Sequence, residues 1–122
     1  MQFFSTIALV TSLLSATSVL AQNCYNSGAE NQNLDTVFFH IGRACSGYDG
    51  NRGRFQGVFG AGETRVACVN VENGQHIDLV VQNRGSQGFD LRDEDCTNEL
   101  IFLAGYCPSR GGEFSKAGWF FR

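Results

Sequence analysis

Apolar and polar residues alternate most regularly from Thr64 to Asn83, TRVACVNVENGQHIDLVVQN. A period of two marks a strand with one face buried. Asn73-Gly74 divides the stretch into two runs and is a strong short-range hairpin signal. A two-residue type I′ loop there fixes the register. It sets Val71 opposite His76, Val69 opposite Asp78, Cys68 opposite Leu79 and Ala67 opposite Val80. Val66, Cys68, Ile77, Leu79 and Val81 then form one apolar face, which needs a covering layer. His76 and Asp78 fall on the wetter face.

Helical spacing supplies that layer. Over Asn33 to Cys45, Leu34, Val37, Phe38, Ile41 and Cys45 recur on one side. Asn31 or Asn33 serves as the cap, with Asp35 in the first turn and Arg43 in the last, as the helix dipole prefers. A second helix is predicted over Phe89 to Gly105, with Cys96, Leu100, Leu103 and Cys107 on one face and Gly105 as the stop. Asp90, Asp93, Glu94 and Asp95 crowd its start. They complement the positive helix end and lack the spacing of a calcium loop. Arg54 to Gly60 reads as a short strand broken at Gly57. Pro108 to Lys116 reads as a turn-rich link, and Ala117 to Arg122 as a last strand. The predicted fold is α+β: an antiparallel sheet of about four strands with two helices packed on it.

Met1 to Ala21 carries no charged side chain and a long apolar run, with Val19 and Ala21 three residues and one residue before Gln22. This is the pattern of a cleaved secretory leader. Gln22 to Arg122 is then a single extracellular domain. Five cysteines in such a chain read as a disulfide framework. At most two bridges close within it, and one thiol is free, joins two copies into a dimer, or lacks its partner. A helical run from Cys96 to Cys107 rises roughly 16 Å, beyond the about 7 Å that a disulfide spans, so these two are not expected to pair. Cys45 and Cys68 can join helix to sheet and are the expected pair, with the partners of Cys24, Cys96 and Cys107 open. No CxxC or Cys/His cluster occurs along the chain, so no metal site is expected.

The formal charge of −3 argues against non-specific nucleic-acid binding. Nothing after Ala21 is apolar enough to span a membrane. Two histidines, no nucleophile elbow, no phosphate-binding glycine loop and no haem or flavin signal point away from an enzyme or a cofactor. The best catalytic set is His76 and Asp78 with Glu63 and Arg65 nearby, which would suit a small secreted ribonuclease. Alternation alone puts polar side chains on a wet face, so a scaffold role is preferred. A ligand is sought instead at Ser46 to Gly53, where Tyr48, Asp49, Asn51 and Arg52 cluster among three glycines. An aromatic face packs on sugar C–H groups while amide, carboxylate and guanidinium bridge hydroxyls. Arg84 and Trp119 are the next candidates.

The order of features carries a resemblance. It runs Cys24-Tyr-Asn-Ser-Gly, Ala44-Cys45, Arg65-Val-Ala-Cys68, Val80-Val-Gln-Asn83, Asp95-Cys96, Cys107, Gly111-Gly112 and Gly118-Trp-Phe-Phe-Arg122. The chain resembles a group of small secreted fungal cysteine-rich proteins that includes a mushroom glycan-binding lectin. The resemblance implies a helix-sheet-helix sandwich and a secreted, non-enzymatic effector that binds a glycan or a host surface protein. It also implies a short turn and a sixth cysteine after the Trp-Phe-Phe-Arg segment. The sequence stops at Arg122, which leaves the bridge of Cys24 or Cys96 in question. A more distant similarity, to fungal killer toxins of α/β-sandwich type, implies a cell-death-eliciting toxin as the alternative.

Overall fold

The hairpin forms one edge of a larger antiparallel sheet. The computed structural model describes residues 23–31 and 33–122, and the leader expected at Met1 to Ala21 lies outside them. The elements are β1 (Asn23–Cys24), α1 (Leu34–Ser46), β2 (Val58–Phe59), β3 (Thr64–Asn70), β4 (His76–Asn83), β5 (Phe89–Asp90), α2 (Asp93–Tyr106), β6 (Gly112–Lys116) and β7 (Trp119–Phe121). The fold is α+β. Five strands lie in the order β1-β6-β7-β4-β3, and β2 with β5 forms a separate two-stranded ribbon.

Asn33 caps α1: its side-chain oxygen accepts from the N–H groups of Asp35 at 3.0 Å and Thr36 at 3.4 Å. Such a cap is worth about 1 kcal/mol. Val37, Ile41, Ala44 and Cys45 of α1 and Cys96, Leu100 and Leu103 of α2 are buried. They form one core with Leu79, Val81, Phe114 and Phe121 of the sheet and with Phe55 and Phe59. Both helices therefore cover a single face of the sheet.

Several boundaries differ from the sequence pattern, among them the strand expected over Arg54 to Gly60, which is confined to Val58–Phe59. The second helix begins at Asp93 because Phe89 and Asp90 pair with Phe59 and Val58. It runs past Gly105 to Tyr106. Residues 112–116 form a strand rather than a link. Gly112 makes this possible: a Cβ there would meet the Asn23 carbonyl and lie 2.7 Å from Cys107 Sγ. Its bare backbone lets β1 and a disulfide close in on β6 together, which raises the sheet from four strands to five.

The hairpin register differs from the expected one by a single residue. Asn73 and Gly74 do form the turn, both at positive φ (60° and 71°), and the Gln75 N–H donates to the Glu72 carbonyl at 3.2 Å. The next bond comes from the Val71 N–H, not Glu72, to the Gln75 carbonyl at 2.9 Å. Val71 and Glu72 thus share one partner, which is a bulge. Asn70 then pairs with His76, Cys68 with Asp78 and Val66 with Val80. A slip of one residue moves a strand's whole side-chain set to the other face. The burial of β4 is as expected, with Ile77, Leu79 and Val81 inward, but Arg65, Ala67 and Val69 replace Val66 and Cys68 on the inner side.

The far end of the hairpin holds this register. Arg65 donates to the carbonyls of Gln56 at 2.7 Å and Val58 at 2.6 Å, and pairs with Glu63 at 2.8 Å. Its guanidinium lies 4.1 Å from the centre of the Phe59 ring. Turning Arg65 outward would give up all of these contacts.

The disulfides follow. Cys45 bonds Cys96, not Cys68, with Cα atoms 5.6 Å apart. It ties α1 to α2 within the core, where both sulfurs are fully buried. Cys24 bonds Cys107 with Cα atoms 5.3 Å apart. Cys68 is the free and exposed thiol, because the bulge places it on the face away from the helices. The unpaired position is therefore neither Cys24 nor Cys96. Cys96 and Cys107, at the two ends of α2, are not joined, as the helical rise requires.

Candidate functional site

The β7 strand is short, and the sheet opens beside it. Val80 and Arg122 exchange backbone hydrogen bonds at 2.7 and 2.9 Å. Antiparallel alternation turns the N–H and C=O groups of Asp78 and His76 to that same side of β4. Among the described residues no strand pairs with them there. The gap is the mouth of a cleft of about 540 Å³. Its floor is aliphatic, including Val37, Ile41, Ile77, Leu79, Leu100 and Leu103. Tyr25, Glu30, Asp78, Arg110 and Arg122 stand around the rim.

The N-terminal segment builds one wall of the cleft. The Cys24–Cys107 bridge anchors it, and the Tyr25 N–H donates to Gly111 at 2.9 Å and the Asn31 N–H to Ser109 at 2.6 Å. Arg110 holds the Gly28 carbonyl at 3.0 Å and lies 3.6 Å from the Glu30 carboxylate. The Tyr25 hydroxyl donates to Glu113 at 2.7 Å. Partial burial, followed by this bond, pushes the Tyr25 phenol up to about 12.

On the outer face of the hairpin, beside the cleft, the register gathers Cys68, His76 and Asp78. Their ligating atoms all lie within 4.8 Å of one another. His76 Nε2 is 3.3 Å from Asp78 Oδ2, and both side chains are about half exposed, at 57% and 46%. The Asp78 carboxylate beside it pushes the pKa of the Cys68 thiol up. A thiol held protonated in this way is a poor nucleophile. The expectation of no Cys/His cluster rested on spacing along the chain. The bulge overturns it in space, because the expected register put Cys68 on the opposite face from His76 and Asp78.

The residues expected to bind a ligand do not converge. Tyr48 and Asn51 bridge each other through two backbone bonds of 3.0 and 2.7 Å, with Asp49 and Gly50 at positive φ between them. The Arg43 guanidinium covers one face of the Tyr48 ring at 3.7 Å. Arg52 reaches back to the Gln56 carbonyl at 3.2 Å. Arg84 lies over the Phe120 ring at 4.2 Å and donates to Gln82 and Ser115 on the outer face. Trp119 packs edge-on against Phe59 on the inner face. The set weighed for a ribonuclease is also divided, with Arg65 inward and His76 and Asp78 outward. The cleft residues Tyr25, Arg110 and Arg122 were missed, and only knowledge of how the ends of the chain pair could have placed them together.

No family model, curated protein or solved structure matches the chain. The resemblance to fungal cysteine-rich proteins therefore rests on its cysteine, glycine and aromatic spacing alone.

Proposed function

We propose that the protein is a secreted, non-enzymatic binding protein that takes an extended peptide segment of a surface protein into the cleft. The unpaired edge of β4 at His76 and Asp78 carries this reading. An extended segment can add to such an edge through main-chain hydrogen bonds and drop alternate side chains onto an apolar floor. Disulfides that staple the core and the cleft wall suit an oxidising, extracellular setting, and no helix among the described residues is long and apolar enough to cross a membrane. In the setting that the fungal resemblance implies, the binder would act as an effector.

A glycan is the second reading. Tyr25, Arg110 and Arg122 with Glu30 and Asp78 put an aromatic ring, guanidinium groups and carboxylates around one opening. Screening displayed random peptides and a glycan array with the wild type and with Ile77→Arg, which blocks the floor, separates the two. Peptide binding lost in Ile77→Arg supports the first reading. Sugar binding lost in the same variant supports the second. Ligands of either kind that bind Ile77→Arg as well as the wild type would remove the cleft as the site.

A further inference from the structure

We propose that Cys68, His76 and Asp78 form a binding site for a zinc-like divalent transition-metal ion. One sulfur, one nitrogen and one oxygen donor are the ligand types that zinc accepts. Tetrahedral zinc, with bonds of about 2.3 Å to sulfur and 2.0–2.1 Å to nitrogen or oxygen, holds its donors roughly 3.3–3.6 Å apart. The His76 and Asp78 donors already stand at 3.3 Å, and the thiol lies within 4.8 Å of both. A small side-chain rotation of Cys68 closes the set.

The scaffold is suitable for such a site. Cys68 and Asp78 are direct cross-strand partners, and His76 lies two residues before Asp78 on the same face. The hairpin register thus fixes all three Cα positions, and only side-chain torsions remain to be set. A buried structural role does not apply, because all three are exposed.

Binding exchanges the thiol proton for the ion. The S–H bond of Cys68 breaks, its proton leaves to solvent, and the sulfur keeps the electron pair that forms the bond to the metal. Thiolate and carboxylate together carry two negative charges and offset a divalent cation. The fourth position faces solvent beside the mouth of the cleft, which His76 and Asp78 also line. An open position of this kind can take water or a donor from a bound partner. The site stands apart from the peptide-binding proposal, since its donors are read with the ion alone.

The test is titration of the oxidised protein, its Cys68 thiol first counted with a thiol reagent, with cobalt(II) and then with zinc(II) in competition. The expected result is one ion per chain, near-ultraviolet thiolate-to-cobalt charge-transfer absorption, displacement by zinc and release of a proton. Cys68→Ser and His76→Ala should each weaken binding at least about tenfold. Val66→Thr, on the same exposed face, should leave binding unchanged. Circular dichroism checks that each variant stays folded. A cobalt spectrum without the thiolate band, equal affinity in both ligand variants, or a Cys68 wholly consumed in a disulfide between copies would overturn the site.

Discussion

The inner face of the β3–β4 hairpin carries two polar side chains, Arg65 and Asn83, the outer face carries more, and the two faces use them differently. On the inner face both polar side chains are held by several partners. Arg65 serves the Gln56 and Val58 carbonyls and the Glu63 carboxylate. Asn83, almost fully buried, donates to the carbonyls of Phe59, Gly60 and Gln87 at 3.4, 3.2 and 2.8 Å, and its oxygen accepts from the Gly85 N–H at 2.9 Å. Among the described residues, Cys68, His76 and Asp78 on the outer face have only one another as side-chain partners and keep lone pairs to spare. The difference separates scaffold from site. Buried polar groups are retained because each has a partner, whereas a binding site needs donors or acceptors that the fold has not used.

The sharpest way to break this comparison is through the cysteines. Replacing Cys45 and Cys96 together by alanine should cost about 2–5 kcal/mol, while Cys68→Ser should stay within about 0.5 kcal/mol of the wild type. Urea melts of the three proteins read both values, and comparable losses would mean that the outer face is also structural. Next in size is Asn83→Ala. It leaves buried carbonyls around Phe59 and Gln87 without their donor, at about 1–3 kcal/mol. The matched outer change, Asp78→Ala, should cost no more than about 0.5 kcal/mol. The same melts test that contrast.

Much of the scaffold was legible because it depends on local patterns. The Asn33 cap, the helical stripe through Val37 and Ile41, and the Asn73-Gly74 turn are set by neighbours in the chain. The register was not, because it is decided elsewhere. The turn alone would pair Cys68 with Leu79. The anchoring of Arg65 on Phe59 and on carbonyls of the preceding loop pairs Cys68 with Asp78 instead, and the bulge at Val71 and Glu72 absorbs the residue between them. The expected bridge from Cys45 to Cys68 failed for this one reason, and the nearness of Cys68 to His76 and Asp78 was hidden for the same reason. The cleft was hidden for another: Tyr25, Arg110 and Arg122 meet only through pairing of the two chain ends. A smaller effect tests the account of the bulge. Deleting Glu72 should leave a regular two-residue hairpin with Asn70 still opposite His76, at a stability change of about 1 kcal/mol or less. Cobalt binding at Cys68 should survive. If the deletion instead moved Cys68 inward and abolished cobalt binding, the turn and not Arg65 would govern the register.

The smallest expected effect concerns the cleft wall, where the outer face meets the N-terminal segment. Tyr25 gives its hydroxyl hydrogen to Glu113, with Arg122 pulling the other way. Its phenol is raised from 10.0 to about 12, first by burial and then by the Glu113 bond. The folded state therefore holds this proton more tightly than the unfolded chain does. The resulting stabilisation is fully present below pH 10.0 and is lost as pH rises through about 12. Absorbance titration of the wild type against Tyr25→Phe isolates the residue: the difference curve should have its midpoint near pH 12. Tyr25→Phe should also show a flatter loss of stability over the same range. A midpoint near 10 would mean that Glu113 does not hold Tyr25 in solution, and the wall of the cleft would then rest on the Cys24–Cys107 bridge and the backbone bonds to Ser109 and Gly111.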